Sequence, residues 1–245
     1  MNIALILAGG RGTRFGGDHP KQFVEIEKKP LIVHTLEKFS NCKFIDKIFV
    51  VCLKNYVDEM KEIIKRYSIN KIEDIIIGGN TRHESIRNGI NYLLNNKYDK
   101  LSKIVIHNAN MPLVTISNIE ECILKCDKNT IVTTVAKCHG FFYQISEDDN
   151  SLAIGPDRNN LLHAKVPEGM YLEIANEIYN DKRFDEKKYE SYTAGMLGIL
   201  MKKSVVIAIC ASTNMKITTK EDYKLVETYF KNETSGDNKC IKWFL

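Results

Sequence analysis

The chain has no apolar run long enough to span a membrane as a helix, which excludes an integral helical membrane protein. Its opening residues, Met1-Asn2-Ile3, carry no basic region and lead straight into a predicted strand, so no signal peptide is expected and the protein is read as cytoplasmic. It also has no Cys-x-x-Cys pair. The seven cysteines, Cys42, Cys52, Cys122, Cys126, Cys138, Cys210 and Cys240, are odd in number and read as buried thiols, not as a disulfide framework or a zinc site. Cys122 and Cys126, four apart in a helical pattern, and Cys138 beside His139 are taken as packing residues and assigned no metal. A strong charge of one sign is absent as well: 35 Lys and Arg against 31 Asp and Glu leave a net charge of +4. No basic stripe interleaved with aromatics stands out, so nucleic acid is not indicated and a small anionic substrate suffices.

What is present is concentrated near the N-terminus. The apolar run Ile3 to Leu7, short enough for a buried parallel strand, leads into Ala8-Gly9-Gly10-Arg11-Gly12-Thr13-Arg14-Phe15-Gly16-Gly17-Asp18-His19-Pro20-Lys21-Gln22-Phe23, with five glycines in nine residues. Glycine lets backbone N–H groups approach an anion without Cβ interference, and Arg11, Arg14 and Lys21 add positive charge, so the loop reads as a polyphosphate cradle. A P-loop is excluded because no Gly-Lys-Ser/Thr closes it. A dinucleotide fold is disfavoured because the second apolar run, Ile48 to Cys52, ends in Leu53-Lys54 and not in an acidic residue for a ribose. An Arg and a Lys in one loop suit cleavage of a triphosphate, where charge moves during transfer.

A length of 245 residues and 44% hydrophobic content support a substantial core. Periodicity predicts helices over 30–39, 56–67, 86–94 and 115–126, and strands over 48–52, 75–77, 104–106 and 130–137. Alternating strands and helices imply an open, mostly parallel α/β sheet with helices on both faces and a ligand crevice beyond the strands' carboxyl ends. Residues 141–145 and 152–154, separated by an acidic turn, predict a projecting hairpin.

The ordered set Ala8-Gly9-Gly10-x-Gly12-x-Arg14-x-Gly16-x-x-x-Pro20-Lys21-Gln22-Phe23 resembles the signature of the cytidylyltransferases that act on methylerythritol phosphate and ribitol phosphate. Gly78-Gly79-Asn80-Thr81-Arg82-His83-Glu84-Ser85 resembles that family's base-recognition segment, and Asn214-Met215-Lys216-Ile217-Thr218-Thr219-Lys220-Glu221-Asp222 resembles a later one. The likeness covers about residues 2 to 231. It implies a Rossmann-like nucleotidyltransferase fold of GT-A type in one domain over 1–231, with 138–156 as a β-arm that embraces a second subunit and 232–245 as a tail. It also implies catalytic roles for Arg14, Lys21 and Lys216, Lys216 lying either on the α-phosphate or on the incoming acceptor phosphate. Ala8, Gly9, Gly10 and Gly12 would then hold the nucleotide through their backbone, and Gly79, Asn80 and Ser85 would read the base. For Gly78 to Ser85 the plain reading is a strand-to-helix turn with Thr81 as N-cap and Glu84 completing a capping box, and Arg82 is equally well a structural anchor.

The acceptor side departs from the family pattern. Where members carry His-Asp-Ala-Ala-Arg-Pro, this chain has His107-Asn108-Ala109-Asn110-Met111-Pro112. Asn108 offers a neutral carbonyl in place of a carboxylate to Mg²⁺, the cofactor the resemblance implies, and Met111 cannot bind an anion as Arg does. Cys138-His139 stands in place of Asp-Thr, and His163-Ala164-Lys165-Val166-Pro167-Glu168 in place of His-x-x-Thr-Pro-Gln. Asn108, Thr193 and Arg158 are the remaining acceptor-contact candidates, Arg158 reaching a neighbouring subunit's site or simply lying in a capped surface turn. The function implied is transfer of CMP from CTP to a polyol or similar phosphate, releasing pyrophosphate, in a homodimer that binds neither nucleic acid nor membrane. The alternatives are a non-catalytic CTP-binding member and a nucleotidyltransferase using another base or a sugar phosphate.

Overall fold

The computed structural model describes residues 1–10, 12, 15–16, 19–146, 151–185 and 187–232, and the backbone of 233 and 234. The first strand, β1 (Asn2–Ala8), is apolar throughout after Asn2 because it is buried on both faces. Ala4, Ile6 and Ala8 point into one core layer, Ile3 and Leu5 into the other. A small antiparallel pair, β2 (Glu25–Ile26) and β3 (Lys29–Pro30), precedes α1 (Leu31–Asn41). Then follow β4 (Lys47–Cys52), α2 (Val57–Arg66), β5 (Ile72–Ile77), α3 (Arg82–Asn95), β6 (Lys103–Asn108), α4 (Ile116–Leu124) and β7 (Thr130–Lys137). The hairpin is β8 (Tyr143–Ile145) and β9 (Leu152–Ile154); after it come β10 (Leu162–Tyr171), α5 (Leu172–Tyr179), α6 (Ala194–Leu200), β11 (Ser204–Ile209) and α7 (Lys220–Thr234).

Seven strands form one sheet in the order β11-β7-β10-β6-β1-β4-β5. All neighbours pair in parallel except β10, which runs antiparallel between β6 and β7. Helices α1, α2 and α4 cover one face through Leu36, Phe39, Met60, Ile63, Ile119 and Ile123; α3, α5 and α6 cover the other through Ile86, Ile90, Leu93, Ile174, Ile178 and Leu197. The expected mostly parallel α/β sheet with both faces covered is what forms. No helix among the described residues is long and apolar enough to cross a membrane.

Periodicity missed the strands at β10 and β11 and the helices at α5 and α6. In β10 the reason is chemical: Lys165, Pro167, Glu168 and Gly169 dilute the β pattern, and a proline argues against a central strand. The strand tolerates Pro167 because its register with β7 shifts between Lys165 and Glu168, where a ladder donor is not required.

The hairpin pairs Tyr143 with Ile154 and Ile145 with Leu152 and presents them outward: Ile154 is 95% exposed. Cys122 and Cys126 pack under Gly169, and burial pushes the Cys126 thiol up to about 12, the behaviour of an inert core cysteine. Cys240 and the rest of 235–245 lie outside the described residues.

Candidate active site

From β1 the chain moves to β4 and β5 on one side, then returns to place β6 on the other. That reversal opens a crevice at the carboxyl end of β1. The loops after β1, β4, β5 and β6 meet there around a cleft of about 1020 Å³. Its lining brings together Ala8, Gly9, Gly10, Gly12, Lys21, Gly79, Asn80, Ser85, Asn108 and Lys216 from the sequence-derived set. Arg14 lies outside the described residues, and Arg158 and Thr193 are not among the residues lining the cleft.

The glycine-rich loop is closed by its own end. Gln22 is 2% exposed, and its Nε2 donates to the Ala8 carbonyl at 2.6 Å, so Gln22 serves the loop's closure. Gly12 adopts φ +71°, and a Cβ there would meet the Lys21 backbone nitrogen at 3.3 Å, so a side chain is excluded on both counts. Lys21 follows Pro20 in a single 3-10 turn, Lys21–Phe23, and is only 9% exposed. A loop lysine ordinarily faces solvent, but here the stem is part of the packing, and truncation touches stability as well as charge.

Beyond β5 the loop is held by α3's first turn. Thr81 Oγ1 accepts from the Glu84 N–H at 3.0 Å, the N-cap that the sequence predicts. The Glu84 carboxylate, however, accepts from the Asn80 N–H at 2.6 Å instead of returning to Thr81, so the capping box reaches one residue further back. Ser85 Oγ accepts from the Gly79 N–H at 3.1 Å. A Cβ on Gly79 would sit 2.3 Å from that of Glu84, so only glycine passes here. Arg82 is both lining and anchor: its guanidinium borders the cleft and lies 3.4 Å from Glu168, a carboxylate with no exposed surface. The other oxygen of Glu168 accepts from the Gly195 N–H at 3.1 Å.

The loop after β6 is fixed at three successive points. Thr35 Oγ1 donates to the Ala109 carbonyl at 2.8 Å, Asn110 Nδ2 donates to the Ile217 carbonyl at 2.7 Å, and His107 Nε2 lies 3.0 Å from the Met111 carbonyl. His107 is fully buried, and that burial lowers its pKa to about 4, so it stands as a neutral ring donating to that carbonyl. Met111 is 3% exposed, with its sulfur 3.6 Å from Asn108 Nδ2, so the position is apolar filler behind Asn108.

Lys21, Lys54, Arg82 and Lys216 give the cleft four cations, while none of the described lining residues is acidic. This lining fits a polyanion. No cluster of three or more His, Cys, Asp and Glu able to hold a metal occurs among the described residues. Among the described lining residues a Mg²⁺ ion would fit as a passenger of the triphosphate, with the neutral carbonyl of Asn108 as an oxygen the cleft could add.

The profile of IspD, 2-C-methyl-D-erythritol 4-phosphate cytidylyltransferase, matches residues 2–232. The chain belongs to this cytidylyltransferase family. It is 30% identical over 236 residues to a ribitol-5-phosphate cytidylyltransferase of Lacticaseibacillus paracasei, covering 95% of this chain and 99% of that one. It is 32% identical over 228 residues to a ribitol-5-phosphate cytidylyltransferase of Vibrio parahaemolyticus, covering 91% and 93%. In fold it is similar to the crystal structure of the 4-diphosphocytidyl-2C-methyl-D-erythritol synthase of Anaerococcus prevotii, with a TM-score of 0.77, 23% identity, and coverage of 94% and 98%. The enzyme is thus a CTP-dependent cytidylyltransferase that acts on a polyol phosphate.

Two features of this cytidylyltransferase escaped the sequence. Lys54, Asn55 and Tyr56 line the cleft, and Phe23 stacks on Tyr56 at 5.4 Å, joining the glycine-rich loop to the segment after β4. The signal was available, because the residue that follows a parallel strand faces the crevice. Glu168 carried no such signal, since its partners are 86 and 27 residues away. Thr193 Oγ1 accepts from the Met196 N–H at 3.2 Å and caps α6. Arg158 is exposed in a 3-10 turn capped by Asp157, with its guanidinium 4.6 Å from the centre of the Phe141 ring.

Proposed function

We propose that this cytidylyltransferase prefers an alditol phosphate such as ribitol 5-phosphate to methylerythritol phosphate, and that its CDP-linked product is destined for a surface polymer. The observation that carries the preference is Met111, which sits buried behind Asn108 where the family pattern has an anion-binding arginine. Val166 and Glu168 replace a threonine and a glutamine on the same side, and the ribitol-phosphate names of two full-length relatives agree.

The acceptor phosphate attacks the α-phosphorus of CTP in line and displaces pyrophosphate. A phosphate monoester is already nucleophilic, so no general base is needed. Arg14 and Lys21 neutralise the charge that grows on the triphosphate, Lys216 orients the incoming phosphate, and the backbone of Ala8, Gly9, Gly10 and Gly12 holds the leaving oxygens. Gly79 and Asn80 shape the base pocket. Ser85 Oγ already accepts from Gly79, so its hydroxyl hydrogen is left for a ring acceptor: N3 of cytosine qualifies, whereas N3 of uracil carries a proton. Asn108 would offer its carbonyl oxygen to a Mg²⁺ ion carried in by the triphosphate, which would supply further charge neutralisation. The exposed hairpin pairs with a second copy in a homodimer, bringing Arg158 toward the neighbour's acceptor phosphate; Thr193 marks the far end of the acceptor site. The unit is a single domain over 1–231 working in the cytoplasm.

The test is pyrophosphate release from CTP and Mg²⁺ with ribitol 5-phosphate, glycerol 3-phosphate and methylerythritol 4-phosphate in parallel. Ribitol 5-phosphate is expected to give the highest kcat/KM. Equal or better turnover of methylerythritol 4-phosphate overturns the preference.

A further inference from the structure

We propose that Asn110 is a positioning residue that sets Lys216 over the cleft; this rests on the reading of Lys216 above. Asn110 is 7% exposed and holds Ile217 twice. Its side-chain Nδ2 donates to the Ile217 carbonyl at 2.7 Å, and the Ile217 N–H donates to the Asn110 carbonyl at 3.0 Å. Both backbone polar groups of Ile217 are therefore committed to one residue 107 positions earlier in the chain. The Ile217 side chain is fully buried among Ile26, Leu31, Val226 and Phe230, so the clamp holds from the backbone while the core holds from the side chain. Lys216 is the adjacent residue and lines the cleft. Its ammonium sits on a four-carbon stem, so fixing its Cα fixes the point from which the charge reaches into the cleft.

The clamp is rigid on the other side as well. Thr35 holds the Ala109 carbonyl and His107 the Met111 carbonyl, so Asn110 is fixed between two tethered neighbours. The family pattern carries alanine at this position, which has no donor for the Ile217 carbonyl. Asparagine is short enough to stay within the loop and carries the N–H that the carbonyl needs. The departure at Asn110 thus has a specific consequence: it ties the acceptor-side loop after β6 to the lysine segment ahead of α7.

Five proteins test this: the parent, Asn110→Ala, Asn110→Asp, Lys216→Ala and the Asn110→Ala/Lys216→Ala double variant, each assayed for pyrophosphate release and for CTP binding by calorimetry. Asn110→Asp, the same shape without the donor, is the second single variant should Asn110→Ala fold poorly. Asn110→Ala is expected to lower kcat by about tenfold to a hundredfold, with the KM and Kd for CTP within about twofold; Asn110→Asp is expected to lower kcat at least as far, with CTP binding weakened by the added negative charge. The double variant is expected to be no worse than Lys216→Ala, since a lysine that is gone cannot be mispositioned. Unchanged kcat in both Asn110 variants beside a crippled Lys216→Ala overturns the clamp alone. A multiplicative loss in the double variant overturns it too, because Asn110 would then act elsewhere. Near-normal turnover in Lys216→Ala removes the premise, and that result identifies the reading of Lys216 as the part that failed.

Discussion

The two sides of the cleft are held together by different kinds of contact. Around the glycine-rich loop and the base loop the partners are close in the chain: Thr81 and Glu84 are 3 apart, Asn80 and Glu84 are 4, Gly79 and Ser85 are 6, Ala8 and Gln22 are 14. Distant partners enter as well: beside the local His107–Met111 contact, Asn110 and Ile217 are 107 apart and Asn214 and Val166 are 48, while Arg82 on α3 reaches Glu168, 86 residues away. A grip made of local contacts survives changes elsewhere in the chain.

The largest effect on stability should come from breaking the long-range side. Glu168→Gln leaves the Arg82 guanidinium, about a quarter exposed, beside a neutral amide. The expected loss is about 3 kcal/mol, the low end for a broken buried pair, read by urea unfolding with the KM for CTP little changed. An unchanged unfolding midpoint would erase the contrast between the two sides. On the local side, Lys21→Ala is expected to cut pyrophosphate release about a hundredfold. Because the lysine stem is packed, the melting temperature should fall too; near-normal turnover removes its assigned role.

A smaller and pH-dependent effect comes from His107, whose folded pKa is about 4 against the ordinary 6.5 because burial disfavours its charged form. Between those values the unfolded chain binds a proton that the folded chain refuses, so stability is fully present above pH 6.5 and falls as pH drops toward 4. From pH 7 to pH 5 the loss from this residue is about 2 kcal/mol. His34 and His83, also lowered by burial, add in the same direction. Unfolding at both pH values in the parent and in His107→Gln should show a shallower pH slope in the variant. The smallest effect expected is that of Ser85→Ala, which strips the Gly79 N–H of its acceptor: about 1 kcal/mol, or some fivefold in kcat/KM for CTP, with release at saturating CTP spared.

The alternation of short apolar runs with amphipathic ones was enough to give the parallel sheet, and the Gly-Gly segments with Lys21, Ser85 and Lys216 were enough to mark the cleft. The sheet rests on interactions within a few residues, where periodicity, caps and glycine placement act directly; the cleft residues were marked by the motifs that carry the family resemblance. The antiparallel β10 was not legible, because Pro167 and Glu168 look wrong for a central strand until β6 and β7 surround them. The roles of Glu168 and Asn110 were not legible either, and Arg82 could be read as an anchor but not for which partner. A buried carboxylate is intelligible only once its guanidinium is beside it, and a clamp only once the segment it holds has arrived.

By itself, then, the sequence determined the fold class and the glycine-rich, cationic loop after β1, which follow from local patterning and fixed charge, while the resemblance carried by its motifs identified the chemistry. Only the tertiary structure decided that Lys21 is packed, that Thr193 caps α6 and lies off the cleft lining, and that the acceptor side hangs on pairs such as Asn110 with Ile217. Those outcomes depend on which remote segments the sheet order makes neighbours, and the free energy of such a contact exists only after the chain has closed the loop between them.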